Sequence, residues 1–280
     1  MPTMGTDGTV TTRDGRRLHL VSTGEGSPTV VFESGAGSSR SVWALVQPSI
    51  GGRTRAVAYD RAAMGQSEVD PQPRTLARLA ADLTDLLDQL GAAPYVLVAH
   101  SYGGPIVRSV AAARCDLVAG LVLVDPSDET CDLYFSKAGL RQEQLLAAAL
   151  PWLARTRLLR LGLRRMTKRF PADTRATVLA EDSTVAAAMA FRGELAHVTE
   201  GLRGLRTTPP HLGDLPITWI SGTRASRSPA RAQLDAAHRA SAAAHPGGRH
   251  VEAPASGHYV MVTDPQIVIA ETLRLLDALG

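Results

Sequence analysis

The stretch 95–108 constrains the fold of this chain more than any other part of the sequence. It reads YVLVAHSYGGPIVR, a short apolar run followed by a serine, two glycines and a second apolar run. Residues 96–99 are apolar and partly β-branched, which predicts a buried parallel strand. Gly103 and Gly104 leave room for a sharp turn from strand to helix, which lifts the hydroxyl of Ser101 above the end of the strand. The stretch therefore predicts a strand–serine–helix unit of an α/β protein.

Apolar and β-branched runs predict further strands along the chain. They are Thr9–Thr12, Arg17–Val21, Thr29–Glu33, Ala56–Asp60, Leu121–Asp125, Ile217–Gly222 and Arg249–Ala253. Asp14-Gly15 favours a tight hairpin between the first two of them. Helices are predicted from about Ser41, from Thr75 to Leu90, from Pro229 to Ala244 and from Pro265 to Leu279, the second and last of them from leucines and isoleucines at helical spacing. The predicted fold class is α/β, a mostly parallel eight-stranded sheet with helices on both faces.

The alternation of strands and helices stops between about Pro126 and Leu212. This segment has a helical pattern and lacks strand signals, so we predict a helical cap inserted after the sixth strand. The predicted division is a first core part over residues 1–125, a cap over 126–212 and a second core part over 213–280.

Residues 145–170 of the predicted cap combine many leucines with seven basic residues and no acid. The favoured interpretation is an amphipathic cap helix, with its arginines in water and its leucines lining an apolar substrate pocket. A helix that lies on a membrane surface is the alternative.

Composition restricts the class of protein further. A chain of 280 residues suits one large α/β domain, or a core with an inserted subdomain. Cys115 and Cys131 offer neither a disulfide framework nor a metal-ligand cluster, so a cytoplasmic location is the simplest prediction. Residues 1–10 are polar, and no run approaches the ~18 apolar residues that span a bilayer, so no export signal is expected.

Charge and motifs exclude other classes of function. The net charge of +3 comes almost entirely from arginine, and no basic block alternates with aromatic residues, so no nucleic-acid partner is predicted. The sequence contains no H-E-x-x-H, no G-x-x-x-x-G-K-[ST] and no G-x-G-x-x-G after a strand. We therefore expect no metal and no cofactor.

Three stretches together resemble the α/β-hydrolase superfamily. Residues 99–103, Ala-His-Ser-Tyr-Gly, resemble its G-x-S-x-G nucleophile elbow, with alanine in place of the first glycine. Residues 34–37, Ser-Gly-Ala-Gly, stand where the family commonly has His-Gly-x-x, and residues 60–67 resemble its Asp-Arg-x-Gly-x-Gly-x-Ser turn. Asp60 and Arg61 of that turn are predicted to be structural.

The resemblance implies a role for each candidate site residue. Ser101 is the implied nucleophile, and it needs a base and an acid that orients the base. His258 follows the last strand in Ser-Gly-His, as the family's catalytic histidine does, whereas His100 is expected to point away from Ser101. The backbone N–H groups of Ala36 and Tyr102 are the implied oxyanion hole.

The position of the catalytic acid in the sequence departs from the common family pattern. Residues 222–229, after the seventh predicted strand, contain no carboxylate, and Asp235 falls within a predicted helix. Some family members place the acid after the sixth strand instead, where Asp125 lies. Asp125 is therefore the favoured acid, and Asp128 is the alternative.

The implied function is a serine hydrolase that cleaves a carboxylic ester or related acyl bond of a small hydrophobic substrate. A serine nucleophile argues against the dehalogenases and epoxide hydrolases of the superfamily, which use aspartate. An aminopeptidase, a thioesterase, a lactonase, a lyase and a non-catalytic binding protein remain alternatives, since one fold serves many functions. A peptidase would need an acidic anchor for the substrate's amino group, and Glu33, Glu181 and Glu194 are the acids considered. The oligomeric state stays open.

Overall fold

The computed structural model describes residues 4–91, 93–224 and 228–280, and within them eight strands form one sheet in the order β1-β2-β4-β3-β5-β6-β7-β8. The strands are β1 (Thr6–Thr11), β2 (Arg17–Thr23), β3 (Thr29–Glu33), β4 (Ala56–Tyr59), β5 (Tyr95–His100), β6 (Val118–Val124), β7 (Ile217–Gly222) and β8 (Gly248–Ala253). β1 and β2 form the predicted hairpin, β2 also runs antiparallel to β4, and the other pairs are parallel. The predicted α/β fold class is confirmed.

Helices connect the strands and cover both faces of the sheet. They are α1 (Gln47–Gly51), α2 (Leu76–Leu90), α3 (Gly103–Ala113), α4 (Lys137–Arg155), α5 (Leu158–Met166), α6 (Ala172–Glu181), α7 (Val185–Thr207), α8 (Pro229–Ala244), α9 (Val260–Thr263) and α10 (Pro265–Leu279). The predictions for α2, α8 and α10 are confirmed. The helix predicted from Ser41 is wrong: a single 3-10 turn precedes the short α1. Pro48 has no N–H, which confines it to the first turn of a new helix.

The sheet is buried between two apolar layers. In β5, Leu97 belongs to the apolar cluster that includes side chains of α2 and α3, whereas Val96 and Val98 belong to the cluster that includes side chains of α1 and α10. This alternation follows from the two-residue period of a strand. Apolar burial on both faces is the reason that the strand before Ser101 reads as a continuous apolar run.

Residues 125–216, all of them described, contain helices α4 to α7 and no strand. The single helix expected over residues 145–170 is wrong, because α4 ends at Arg155 and α5 starts at Leu158. Arg157 between them has φ 62°, a left-handed conformation that a continuing α-helix does not tolerate. The division into residues 1–125, 126–212 and 213–280 stays a prediction.

In the described ranges, no helix combines the length and the apolar character needed to cross a membrane.

Candidate active site

Ser101 lies directly after β5 in a strained turn. Its φ is 52°, a conformation that residues other than glycine rarely adopt. Its carbonyl accepts hydrogen bonds from the backbone N–H groups of Gly104 and Ser127, at 3.0 and 2.9 Å. A Cβ on Gly103 would stand 2.9 Å from the backbone oxygen of Glu33, so glycine is needed for this close approach. These contacts hold the serine at the edge of a cavity.

His258 connects Ser101 to a buried carboxylate. It lies in the loop after β8, with its Nε2 3.1 Å from Oγ of Ser101 and its Nδ1 2.6 Å from Oδ2 of Asp125. When Nδ1 carries the proton and donates it to Asp125, Nε2 is free to accept the proton of the serine hydroxyl. The structure therefore brings together the three residues predicted as nucleophile, base and acid.

Asp125 follows β6 and is fully buried. Its Oδ1 accepts a hydrogen bond of 2.9 Å from the N–H of Gly222, and the guanidinium of Arg231 contacts both carboxylate oxygens, with Nη1 2.7 Å from Oδ2. Burial favours the neutral acid, but the hydrogen bonds and charges of His258 and Arg231 outweigh it and hold the pKa of Asp125 well below its ordinary value. Asp125 is thus an anion held between the imidazole of His258 and the guanidinium of Arg231.

Sequence reasoning missed Arg231. From sequence alone, an arginine on a helix such as α8 is expected to lie at the surface in water. In the structure α8 packs beside the end of β6, and the side chain of Arg231 is only 11% exposed. The one sequence signal for this arginine was the absence of a carboxylate after β7, because the position that the acid would otherwise take is then open to a cation.

Asp128, the alternative acid, forms hydrogen bonds with residues other than His258. Its Oδ1 accepts hydrogen bonds from the backbone and hydroxyl of Thr130, at 2.9 and 2.6 Å, and its Oδ2 accepts one of 2.8 Å from Ser241. The structure places Asp125, and not Asp128, against His258.

One group of metal-ligand types lies beside this site. Ligand atoms of Asp125, Asp235 and His238 lie within 4.8 Å of one another. Arg231 bridges the two carboxylates, and both ring nitrogens of His238 contact other groups. A cation would have to displace the guanidinium that already neutralises the carboxylates, so this group does not fit a metal.

The loop after β3 turns the Ala36 amide toward the cavity. The backbone carbonyl of Gly35 accepts a hydrogen bond of 2.7 Å from Arg61, and in a trans peptide the next N–H points the opposite way. The next amide along, that of Gly37, donates to Glu194 at 3.0 Å. Ala36 and Tyr102 both line the cavity with Ser101, and neither amide donates a hydrogen bond within the described part of the chain. Within the described ranges, both predicted oxyanion donors therefore have an N–H that is free to donate.

A buried ion cluster supports this loop. Arg61 contacts Glu194 with two nitrogens at 2.9 Å each and Glu33 at 2.5 Å, and Arg74 adds a second cation at 2.6 Å from Glu194. Burial opposes ionisation of Glu194, but Arg61 and Arg74 outweigh it and lower its pKa. Glu181 pairs with Arg40. Since all three acids considered as peptidase anchors have a cationic partner, none is free for a substrate.

His100 does not point away from the site as expected. Its buried imidazole lines the cavity of Ser101 and contacts the ring of His258, with centroids 4.5 Å apart. Burial and the neighbouring His258 lower the pKa of His100 well below its ordinary value, so His100 is neutral. Its Nε2–H donates a hydrogen bond of 3.0 Å to the backbone carbonyl of His258. His100 thereby fixes the loop that carries the other imidazole.

The cavity above Ser101 has a volume of about 420 Å³, within the range of small-molecule sites. Its apolar wall comes largely from the helical segment between β6 and β7. The large apolar and aromatic residues of that wall are Leu133, Tyr134, Leu146, Phe191, Leu195 and Val198. Among the described residues that line it, Glu143 is the one carboxylate, and it accepts a hydrogen bond of 2.9 Å from Thr199. The cavity suits an apolar substrate that reaches Ser101 from the side of the helices.

A smaller cavity of about 90 Å³ adjoins the first and shares Ala36, Phe191 and Tyr259 with it. Asp182, which is 8% exposed, lines this smaller cavity. Its Oδ2 accepts a hydrogen bond of 3.0 Å from Ser39, and its Oδ1 has no partner within the described ranges. Burial, with the nearby negative charges of Asp60 and Glu181, raises the pKa of Asp182 to about 8.

Replacement of Asp182 by asparagine is expected to stabilise the protein at alkaline pH. Because the folded pKa of about 8 exceeds the ordinary 3.8, the neutral acid favours folding below about pH 4, and this contribution is lost as pH rises to about 8. The asparagine side chain stays neutral at every pH and keeps an acceptor for Ser39. We expect the melting temperature of the variant to exceed that of the wild type by several degrees at pH 8 and to be nearly equal at pH 4.

Thermal unfolding at the two pH values measures this difference. The exposed Asp214→Asn is the matched control and should change the melting temperature equally at both. An Asp182→Asn protein that is no more stable than the wild type at pH 8 would contradict the raised pKa.

A family model described as the alpha/beta hydrolase family matches residues 30–271, most of the chain. The chain belongs to the alpha/beta hydrolase family. The predicted resemblance is confirmed, and the match includes the segments that carry Ser101, Asp125 and His258.

Individual relatives of this alpha/beta hydrolase are distant. The chain is 33% identical over 109 residues to the uncharacterized protein YqjL of Bacillus subtilis (strain 168), a match that covers 39% of this chain and 43% of that protein. The chain spans less than two thirds of the length of these curated relatives that it matches.

Two solved structures resemble the whole fold. The epoxide hydrolase CorEH without ligand has a TM-score of 0.73 and 20% identity, with 98% of this chain and 99% of that chain covered. A thermophilic esterase from Thermogutta terrifontis has a TM-score of 0.72 and 22% identity, with 98% and 99% covered. At such identities the likeness establishes the fold and leaves the reaction to be argued from the site.

Proposed function

We propose that this alpha/beta hydrolase cleaves carboxylic esters, or closely related acyl bonds, through an acyl-enzyme on Ser101. The observation that carries the proposal is the hydrogen-bonded chain from Ser101 through His258 to Asp125 at the edge of an apolar cavity. A serine hydroxyl is a weak nucleophile until a base removes its proton, and this chain supplies the base with its orienting acid.

In the first step, Oγ of Ser101 attacks the substrate carbonyl while its proton passes to Nε2 of His258. The buried anion of Asp125 stabilises the imidazolium that forms and keeps the ring in place. The N–H groups of Ala36 and Tyr102 stabilise the negative oxygen of the tetrahedral intermediate, a contribution of about 3 kcal/mol per donor in enzymes of this type. His258 then returns the proton to the leaving alcohol, and the acyl group stays on Ser101.

Water completes the reaction by the same route in reverse. His258 takes a proton from a water molecule, the resulting hydroxide attacks the acyl carbonyl, and the carboxylic acid leaves as the proton returns to Ser101. The helical segment acts as a cap that limits the access of bulk water and presents its apolar wall to the substrate. The substrate class is therefore a small hydrophobic ester. The two unpaired cysteines, Cys115 and Cys131, are consistent with the proposed cytoplasmic setting.

A comparison with the two structural neighbours does not favour epoxide hydrolysis. Epoxide hydrolases of the superfamily use an aspartate nucleophile, and this chain has Ser101 at that turn. The esterase from Thermogutta terrifontis has a nearly equal TM-score. The proposal depends on the chemistry of the nucleophile and not on either likeness.

An aminopeptidase is a second candidate, and Glu143 is the observation that favours it. Glu143 lines the cavity of Ser101, where a carboxylate would bind the amino group of a substrate. Burial raises the pKa of Glu143, against the hydrogen bond from Thr199, and the ammonium group of a bound substrate would favour its ionised form. Faster cleavage of an amino-acid p-nitroanilide than of an uncharged ester, lost in Glu143→Gln, would establish this candidate instead.

The test of the proposed function is covalent labelling together with a substrate panel. A fluorophosphonate is expected to phosphonylate the protein once, at the peptide that contains Ser101, and prior incubation with an ester substrate should slow the labelling. Wild-type protein should hydrolyse p-nitrophenyl acetate and butyrate and leave styrene oxide unchanged. Labelling at another residue, or turnover of the epoxide but not the esters, would overturn the proposal.

A further inference from the structure

Large apolar side chains are exposed on α4 and α5. Nine large apolar side chains are exposed in the described part of the chain, and five of them fall within residues 145–161. They are Leu145, Leu146, Trp152, Leu158 and Leu161. Single exposed leucines are common on proteins, but a cluster of this kind marks an interaction surface.

Helix geometry places these side chains on shared faces. Leu145 and Trp152 are seven residues apart on α4, and Leu158 and Leu161 are three apart on α5, so each pair lies on one side of its helix. Trp152 is 57% exposed, and the two helices pack against each other around the turn at Arg157. The exposed apolar residues are therefore arranged on two joined helices.

Positive charge surrounds them. Residues 144–172 contain seven basic residues and no acid, while the whole chain has 30 basic and 27 acidic residues. The rest of the chain, with 23 basic and 27 acidic residues, is net negative. Six of the seven are exposed, namely Arg155, Arg157, Arg164, Arg165, Lys168 and Arg169, and none of the six pairs with a carboxylate of the described residues. We call these six residues with Trp152, Leu158 and Leu161 the Trp152 surface.

The Trp152 surface lies on the outside of helices that also form the substrate site. Leu146 of α4 lines the cavity of Ser101, and Leu159 and Leu163 of α5 line the smaller cavity. A partner bound to the exposed side of α4 and α5 would therefore be separated from the substrate only by the thickness of these helices.

We propose that the Trp152 surface docks on an anionic lipid bilayer. Exposed leucines and an interfacial tryptophan among arginines are the composition of helices that lie in the plane of a membrane surface. Each basic side chain near an anionic leaflet contributes about 1 kcal/mol, and this attraction is screened by salt. The six basic residues lie at and just after the end of α4, on α5 and in the turn after α5, within a stretch of 29 residues, 144–172, that contains no acid, which suits a fluid array of phosphates better than the fixed pattern of a protein partner.

Vesicle binding by the full-length protein tests the proposal. We expect it to sediment with vesicles of phosphatidylcholine mixed with phosphatidylglycerol at low salt, to be released at high salt, and not to sediment with phosphatidylcholine alone. Trp43 and Trp219 are buried, so a blue shift of tryptophan fluorescence and quenching by brominated lipid would report on Trp152. Binding to both vesicle types alike, or to neither, would overturn the proposal.

Variants locate the binding surface. Arg164→Glu combined with Arg165→Glu should weaken partitioning at least about tenfold, and Trp152→Ser should abolish the blue shift. Arg53→Glu combined with Arg239→Glu makes the same change in net charge at exposed positions elsewhere, and Val69→Ser removes an exposed apolar side chain elsewhere. Both controls should bind as the wild type does. If the controls lose as much binding as the Trp152 surface variants, the surface is not the docking site.

Two further outcomes separate this proposal from others. All variants should hydrolyse a soluble p-nitrophenyl ester at the wild-type rate without vesicles, so failure of vesicle docking leaves the proposed hydrolase reaction intact. Binding of an acidic polypeptide such as polyglutamate, without binding of anionic vesicles, would assign the surface to an acidic protein partner and overturn the lipid proposal.

Discussion

Replacement of Ser101 by alanine is expected to lower kcat for p-nitrophenyl butyrate by at least about 10⁴-fold. The variant keeps the cavity, the two free amides and His258, but it has no oxygen that can form the acyl-enzyme. KM should change little, because the apolar wall that binds the substrate is untouched. Steady-state hydrolysis of wild type and variant, purified in parallel, measures the effect.

Ser109→Ala is the control for this variant. Ser109 lies farther along α3, where its hydroxyl donates to the carbonyl of Pro105, so the chemical change is the same but the site is untouched. Its kcat should stay within about threefold of the wild type. If Ser101→Ala retains more than a tenth of the activity, Ser101 is not the nucleophile and the proposed mechanism is wrong.

Replacement of Asp125 by asparagine is expected to lower kcat by about 10⁴-fold while the protein stays folded. The amide oxygen can keep the hydrogen bond from Gly222, which turns its NH₂ group toward Nδ1 of His258. Nδ1 must then accept, so the ring carries its proton on Nε2 and is unable to accept one from Ser101. The variant also loses the anion that stabilises the imidazolium.

Asp128→Asn separates the two candidate acids. Asp128 contacts Thr130 and Ser241 and not His258, so we expect less than a tenfold loss of kcat in that variant. Removal of the Asp125 charge leaves Asp235 as the one carboxylate that pairs with Arg231 among the described residues, so melting temperatures of both variants must accompany the kinetics. A larger loss in Asp128→Asn than in Asp125→Asn would assign the acid to Asp128.

The strands, the helices of the core and the turn at Ser101 are readable from sequence because their signals are local. Apolar runs of four to seven residues mark buried strands, and Gly103 and Gly104 mark a turn whose close contacts exclude a Cβ. The break at Arg157 escaped prediction, since the leucines on both sides of it continue a helical pattern. Local patterns report a helix well and its interruption poorly.

The positions of His258 and Asp125 were predicted from the ends of strands, through a family resemblance. The carboxyl ends of neighbouring parallel strands lie at the same edge of the sheet. Asp125 and Ser101 therefore contact His258 there, although they precede it in the sequence by 133 and 157 positions. The sequence favours Asp125 and leaves Asp128 as the alternative. The packed structure places Asp125 against the imidazole of His258 and Asp128, three residues farther on, against Ser241.

The partners of the site depend on tertiary structure alone. Arg231 contacts Asp125 across 106 residues, and Arg61 contacts Glu194 across 133. Glu143 and Asp182 reach the cavities because of how α4, α6 and α7 pack over the sheet. A short stretch of sequence encodes the backbone conformation of its own residues, whereas the pairing and the pKa of a buried charge depend on every element that packs against it.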